Sequence, residues 1–120
     1  MKFQSKNSVY YIEDDILTIA FADSKKPNPK KYLILQREID HSDLYYYEFC
    51  SQEYANDGGF KKVTIKNNLI EIVLNESENI YKQGVKIIEI SFEENKEIKE
   101  IKHKLISLFE NSDVELCVFE

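Results

Sequence analysis

Apolar and polar residues alternate with a period of two through most of the chain before residue 93, a pattern typical of β-strands. ILTIAFA alternates in this way, and YLILQRE does so again after a loop that contains two prolines and four lysines. Turn-forming residues separate the alternating segments. The pattern predicts strands at 9–12, Ile16–Ala22, Tyr32–Glu38, 44–52, 60–66, Leu69–Leu74, 85–92 and 114–119.

After residue 93 the apolar period changes to three and four residues, which predicts an amphipathic helix of about four turns. Its apolar stripe consists of Ile98, Ile101, Leu105, Leu108 and Phe109. The predicted fold class is α+β: a mostly antiparallel sheet of about seven or eight strands, with one long C-terminal amphipathic helix packed on one face. Because the stripe covers only one sheet face, the other face is expected to stay accessible.

Three short polar segments are typical of tight turns. Asp14–Asp15 and Asn67–Asn68 each separate two predicted strands, and asparagine tolerates the left-handed conformation that two-residue hairpin turns require. Asn56-Asp57-Gly58-Gly59 is a third turn, since glycine adopts positive φ without a Cβ clash. Residues 75–83 are expected to form a single helical turn or a loop.

The composition describes one folded domain over residues 1–120, with 42% hydrophobic residues and a formal net charge of −6. This acidic balance argues against nucleic acid or an anionic membrane as a partner and is compatible with a basic protein. No apolar run reaches the length of about 18 residues that a membrane span needs, and the N-terminus does not resemble a signal peptide. A cytoplasmic location with reduced thiols at Cys50 and Cys117 is therefore expected.

The residue types that commonly bind metals or perform catalysis are scattered. His41, His103, Cys50 and Cys117 show no ligand spacing, and no serine lies in a nucleophile motif. The sequence therefore predicts no enzyme, no catalytic residue, no cofactor and no metal site. One alternative stays open, in which carboxylates of residues 38–57, such as a facing pair at Glu48 and Glu53, bind a divalent cation or small ligand.

The most unusual stretch lies between Glu38 and Asp57, which contains six carboxylates and four tyrosines but no lysine or arginine. Tyrosine gives a large contact area at low entropic cost, and carboxylates without a neighbouring cation can pair with the basic side chains of a partner. Arg37, at the border of this stretch, is expected to orient the acids as an internal ion-pair partner. The predicted partner-binding residues are Glu38, Asp40, Asp43, Tyr45, Tyr47, Glu48, Glu53 and Asp57.

The chain resembles the immunity protein 10 family of bacterial polymorphic toxin systems from about Ile16 to Phe109. Two runs are the most specific: Tyr-Leu-x-Leu-Gln-Arg at 32–37, and the spaced Glu, Gln and Gly-Gly that here are Glu48, Gln52, Gly58 and Gly59. The resemblance implies a cytoplasmic α+β protein that binds a cognate toxin domain and neutralises it without catalysis. A nuclease-like toxin would be basic, which agrees with the acidic stretch.

A homodimer is a further alternative that is compatible with toxin binding. The predicted strands 9–12 and 114–119 are candidates for exposed sheet edges, and an exposed edge can pair with the same strand of a second copy.

Overall fold

The chain folds into two five-stranded β-sheets with one long helix beside them. The computed structural model describes residues 1–39, 44–92 and 98–119. Within these residues the strands are β1 (Lys2–Ser5), β2 (Asn7–Glu13), β3 (Ile16–Ala22), β4 (Tyr32–Glu38), β5 (Tyr45–Phe49), β6 (Ala55–Asp57), β7 (Phe60–Ile65), β8 (Leu69–Leu74), β9 (Ile87–Phe92) and β10 (Glu115–Val118). The helices are α1 (Asn79–Lys82) and α2 (Ile98–Phe109), and a 3₁₀ turn spans Gln52–Tyr54.

The first sheet, here called the antiparallel sheet, has the order β2-β3-β4-β5-β6. The second, called the mixed sheet, has the order β1-β9-β8-β7-β10 and contains two parallel pairs, β1 with β9 and β10 with β7. The class α+β is thus confirmed, but the prediction of one sheet with about seven or eight strands is wrong. The chain passes from one sheet to the other at Lys6 and again at Gly58–Gly59, where both glycines have positive φ. The one-sheet prediction failed because the alternation of residues does not show where a chain changes sheets.

The two sheets share one apolar core. Phe3 of β1 contacts Phe49 of β5, and the Phe60 ring of β7 lies 5.3 Å from Tyr45 and 4.8 Å from Tyr47 between ring centroids. Most strands direct alternate side chains into this core, so each sheet has an inner face and an outer face.

The amphipathic helix is confirmed as α2, but it does not cover one sheet face as predicted. Its residues Ile101, Leu105, Leu108 and Phe109 are buried, whereas the side chain of Ile98 lies outside the described residues. The helix contacts β2 and β3, and Phe109 packs edge-on against Tyr45 and also near Phe60 of the mixed sheet. The helix therefore lies against the antiparallel sheet and, through Phe109, joins the aromatic cluster that both sheets share.

Most strand positions agree with the alternation pattern. Ile16–Ala22, Tyr32–Glu38 and Leu69–Leu74 are strands with the predicted bounds. Asp14 and Asp15 both have positive φ between β2 and β3, and Lys66 N–H donates to Leu69 O across the turn at 67–68. A helical turn at Asn79–Lys82 falls within the segment 75–83, as expected.

Candidate functional site

The outer face of the antiparallel sheet brings together three of the predicted partner-binding acids, Glu38, Glu48 and Asp57. Cross-strand pairing aligns its side chains in rows. We call it the acidic face. Its positions are Asn7, Val9, Tyr11, Glu13, Ile16, Thr18, Ala20, Ala22, Tyr32, Ile34, Gln36, Glu38, Tyr46, Glu48, Ala55 and Asp57.

The outward-facing strand positions of the acidic face carry charge of one sign, although Arg37 of the inner face lines one of its depressions. Its positions include the four carboxylates Glu13, Glu38, Glu48 and Asp57 and no lysine or arginine. The outer face of the mixed sheet is different, since it mixes glutamates with lysines, and Lys62 Nζ lies 3.4 Å from a carboxylate oxygen of Glu115. Single-sign surfaces attract partners of opposite charge over distances longer than direct contact.

Glu48 is held in place by two tyrosines of the acidic face. The hydroxyl of Tyr32 donates to Glu48 Oε2 at 2.5 Å, and that of Tyr46 donates to Oε1 at 3.2 Å. Burial, followed by the hydrogen bond to Glu48, raises the pKa of Tyr32 to about 12. Burial and the Glu48 charge also raise the pKa of Tyr46. Both hydroxyls therefore remain protonated donors at neutral pH, and the carboxylate has a fixed orientation.

Two depressions lie on the acidic face, and Glu48 lines the first of them. The first is apolar and measures about 370 Å³; its lining includes Val9, Ala20, Ala22, Ile34 and Glu48. The second measures about 290 Å³ and is lined by Ile16, Gln36, Arg37, Glu38, Leu44, Tyr46 and Asp57. Large apolar side chains are exposed around them, including Val9 at 41% and Tyr11 at 49%. Exposed apolar area next to carboxylates is typical of protein-binding surfaces.

The predicted partner-binding residues do not all lie on the acidic face. Glu38, Glu48 and Asp57 do, and Glu38 and Asp57 line the same depression. Glu53 lies in the 3₁₀ turn Gln52–Tyr54 and lines a separate depression with Glu78. Asp40 and Asp43 lie outside the described residues.

Tyr45 and Tyr47 belong to the core, where each is only 1% exposed. Phe60 N–H donates to the Tyr45 hydroxyl at 2.7 Å, and the Tyr47 hydroxyl donates to Glu78 Oε1 at 2.5 Å. Burial raises the pKa of both tyrosines above the ordinary range of this side chain. Their rings are therefore unavailable to a partner, and their role in the structure is packing and hydrogen bonding inside the protein.

Tyr32, Tyr46 and the exposed apolar residues of β2 were not among the sequence-predicted site residues. The alternation of β5 could have predicted the role of Tyr46. Residues 45 and 47 share a face with Phe49, whereas residue 46 shares a face with Glu48. A set that contains both Tyr45 and Glu48 therefore mixes the core face with the outer face. The contribution of Tyr32 depends on β4 pairing with β5, which no local pattern shows.

Arg37 belongs to the inner face of β4 by strand register, but it also lines the second depression, and its guanidinium reaches the end of α2. Its Nη1 donates to the carbonyl oxygen of Leu108 at 2.7 Å and to that of Glu110 at 2.5 Å. It thus satisfies carbonyl groups that the end of a helix leaves without intrahelical partners.

Among residues 1–39, 44–92 and 98–119, no three histidine, cysteine or carboxylate side chains lie close enough together to hold a metal ion. In the same part of the chain, none of the helices has the length and apolar character required to cross a bilayer.

Comparisons with known proteins leave the relation to other families open. No family model matches the chain, and a search of curated proteins finds no match. The resemblance to the immunity protein 10 family therefore stays a prediction.

Proposed function

We propose that this chain is a non-catalytic inhibitor of the immunity type, which binds a basic toxin domain through the acidic face. The observation that supports this most directly is the set of four carboxylates at Glu13, Glu38, Glu48 and Asp57, on a face whose positions include no lysine or arginine. The resemblance stated above adds the class of partner, a toxin domain encoded beside the inhibitor.

Charge and apolar area have different roles in such a complex. Carboxylates of one sign steer a basic partner and raise the association rate, an effect that salt weakens. Exposed apolar and tyrosine side chains, such as Val9 and Tyr11, supply the desolvated contacts that slow dissociation. A toxin that attacks nucleic acid needs a basic cleft for phosphates, so an acidic inhibitor fits the same cleft.

The openness of the acidic face favours a macromolecular partner over a small substrate. Small-molecule sites are concave and enclose most of the ligand, whereas the two depressions of the acidic face are open to the surface of the sheet. An open face of this kind matches the surface of another folded domain.

Charge reversal on the two outer faces tests the proposal. The test variant combines Glu38→Lys, Glu48→Lys and Asp57→Lys, and the control combines Glu71→Lys, Glu89→Lys and Glu115→Lys on the mixed sheet. Each variant replaces three carboxylates by three ammonium groups, so the change in net charge is equal. Affinity for the adjacent toxin domain is measured by titration calorimetry at low and high salt.

The test variant is expected to bind at least about tenfold more weakly, a loss of about 1.4 kcal/mol, and its remaining affinity should depend less on salt. The control variant should keep most of its affinity. Equal losses in the two variants would indicate a general charge effect and contradict binding through the acidic face. Circular dichroism of both variants confirms that the fold is intact before affinities are compared.

A further inference from the structure

The apolar depression beside Glu48 has a shape that follows from strand register. Val9, Ala20, Ile34 and Glu48 lie directly opposite one another on four successive strands, so they form one row across the sheet. With a strand spacing of about 4.8 Å, the row extends about 14 Å from Val9 to Glu48. Ala20 has a small side chain in the middle of this row, which leaves a trough between the larger side chains around it.

The chemistry of the trough changes along its length. The floor is apolar at Ala20 and Ile34, and the end on β5 is the carboxylate of Glu48. A carboxylate has about four acceptor positions, and the hydroxyls of Tyr32 and Tyr46 each occupy one. Glu48 therefore keeps acceptor capacity for another donor, and within the described residues no lysine or arginine forms an ion pair with it.

Lysine and arginine combine these two kinds of chemistry, because each has an apolar stem and a cationic head. We propose that the trough binds one lysine or arginine side chain of the partner, with the stem along Ala20 and Ile34 and the head on Glu48. This inference rests on the proposed function, since it names the partner group that the acidic face would receive. It makes Glu48 the central contact of the face, with Glu38 and Asp57 as surrounding charges.

A titration with detached side chains tests the trough without a toxin. The probes are n-butylammonium and n-propylguanidinium, and the controls are n-butanol and sodium chloride. In ¹H–¹⁵N spectra of the whole protein, saturable shifts are expected at Val9, Ala20, Ile34 and Glu48 with the cationic probes only. The relative size of the shifts with the two cations distinguishes lysine from arginine.

Two variants with a matched control make the test specific. Glu48→Gln removes the charge, and its amide can accept from one tyrosine hydroxyl and donate to the other. Ala20→Leu fills the trough while leaving the charge. Glu71→Gln is the control, since Glu71 is also a half-buried strand residue but lies on the outer face of the mixed sheet. Glu48→Gln and Ala20→Leu should abolish the saturable shifts, and Glu71→Gln should leave them unchanged.

The same variants separate this inference from the proposed function. In the toxin complex, Glu48→Gln should weaken binding at least about tenfold, because a hydrogen bond to a charged group typically contributes more than a neutral one. If the wild-type complex forms and neither variant weakens it, the trough proposal is wrong and the proposed function stands. If no complex forms, the proposed function is wrong, and the titration alone decides the trough: shifts that butanol reproduces, or no shifts at all, overturn it.

Discussion

Replacing Gly59 by alanine should destabilise the protein much more than the same change at Gly58. Both glycines have positive φ, +76° at Gly58 and +107° at Gly59, so both alanines would be strained. Their surroundings differ. A Cβ at Gly58 meets nothing within 4 Å, whereas a Cβ at Gly59 would clash with Oε1 and Cδ of Glu78.

The carboxyl group of Glu78 cannot move aside without loss. Glu78 is only 4% exposed, and it accepts hydrogen bonds from the Tyr47 hydroxyl at 2.5 Å and from Asn56 Nδ2 at 3.2 Å. Backbone strain alone costs about 1–2 kcal/mol for a residue in a left-handed conformation. Leaving a buried donor without its acceptor adds about 1–3 kcal/mol. Gly59→Ala should therefore cost about 2–5 kcal/mol, and Gly58→Ala about 1–2 kcal/mol.

Urea unfolding gives the free energy of unfolding for each variant. The decisive comparison repeats Gly59→Ala in a Glu78→Ala background, where the atoms that clash with the new Cβ are absent. There the cost of Gly59→Ala should fall to that of Gly58→Ala, since only backbone strain remains. The explanation would be refuted if Gly58→Ala cost as much as Gly59→Ala, or if removal of the Glu78 carboxyl left the cost of Gly59→Ala unchanged.

Three further predictions concern other parts of the fold. Arg37→Ala removes the donors to two carbonyls at the end of α2 and should lower the free energy of unfolding by about 1.5–3 kcal/mol in urea, with Arg37→Lys recovering part of the loss. Because folding raises the pKa of Tyr32 from 10.0 to about 12, the folded state binds this proton more tightly, so Tyr32 contributes stability below pH 10 that is lost as the pH rises toward 12. Tyr32→Phe should therefore make the decrease of stability over that pH range shallower in denaturant titrations, and an unchanged slope would contradict this. Partial burial raises the pKa of the Cys50 thiol, so it should react more slowly with Ellman's reagent in the native protein than in urea; equal rates would contradict this effect of the fold.

The local periodicity of the sequence was sufficient to predict where the strands and the long helix lie. It was not sufficient to predict which strands pair with each other. The stripe of α2 and the alternation of β3, β4 and β8 depend on neighbouring residues in the sequence, so their positions could be predicted. The division into two sheets depends on which strands pair. Alternation assigns side chains to faces but does not identify the neighbouring strand, and β1 and β6 are too short to give a clear signal.

Like the fold, the candidate site could be predicted from the sequence only in part. The stretch from Glu38 to Asp57 without lysine or arginine is visible in the sequence, and its acids Glu38, Glu48 and Asp57 do lie on one face. The burial of Glu78 was not predictable, because its segment is polar and its partners Tyr47 and Gly59 come from distant parts of the chain. Tertiary contacts alone make this glutamate an internal residue.

Co-expression with the toxin domain encoded next to this chain tests the central claim most directly, followed by size-exclusion chromatography at low and high salt. The account predicts rescue of growth and a stable complex that loosens in salt, since the acidic face would pair with basic side chains. Neither rescue nor a complex would contradict the claim that this protein is an immunity-type inhibitor.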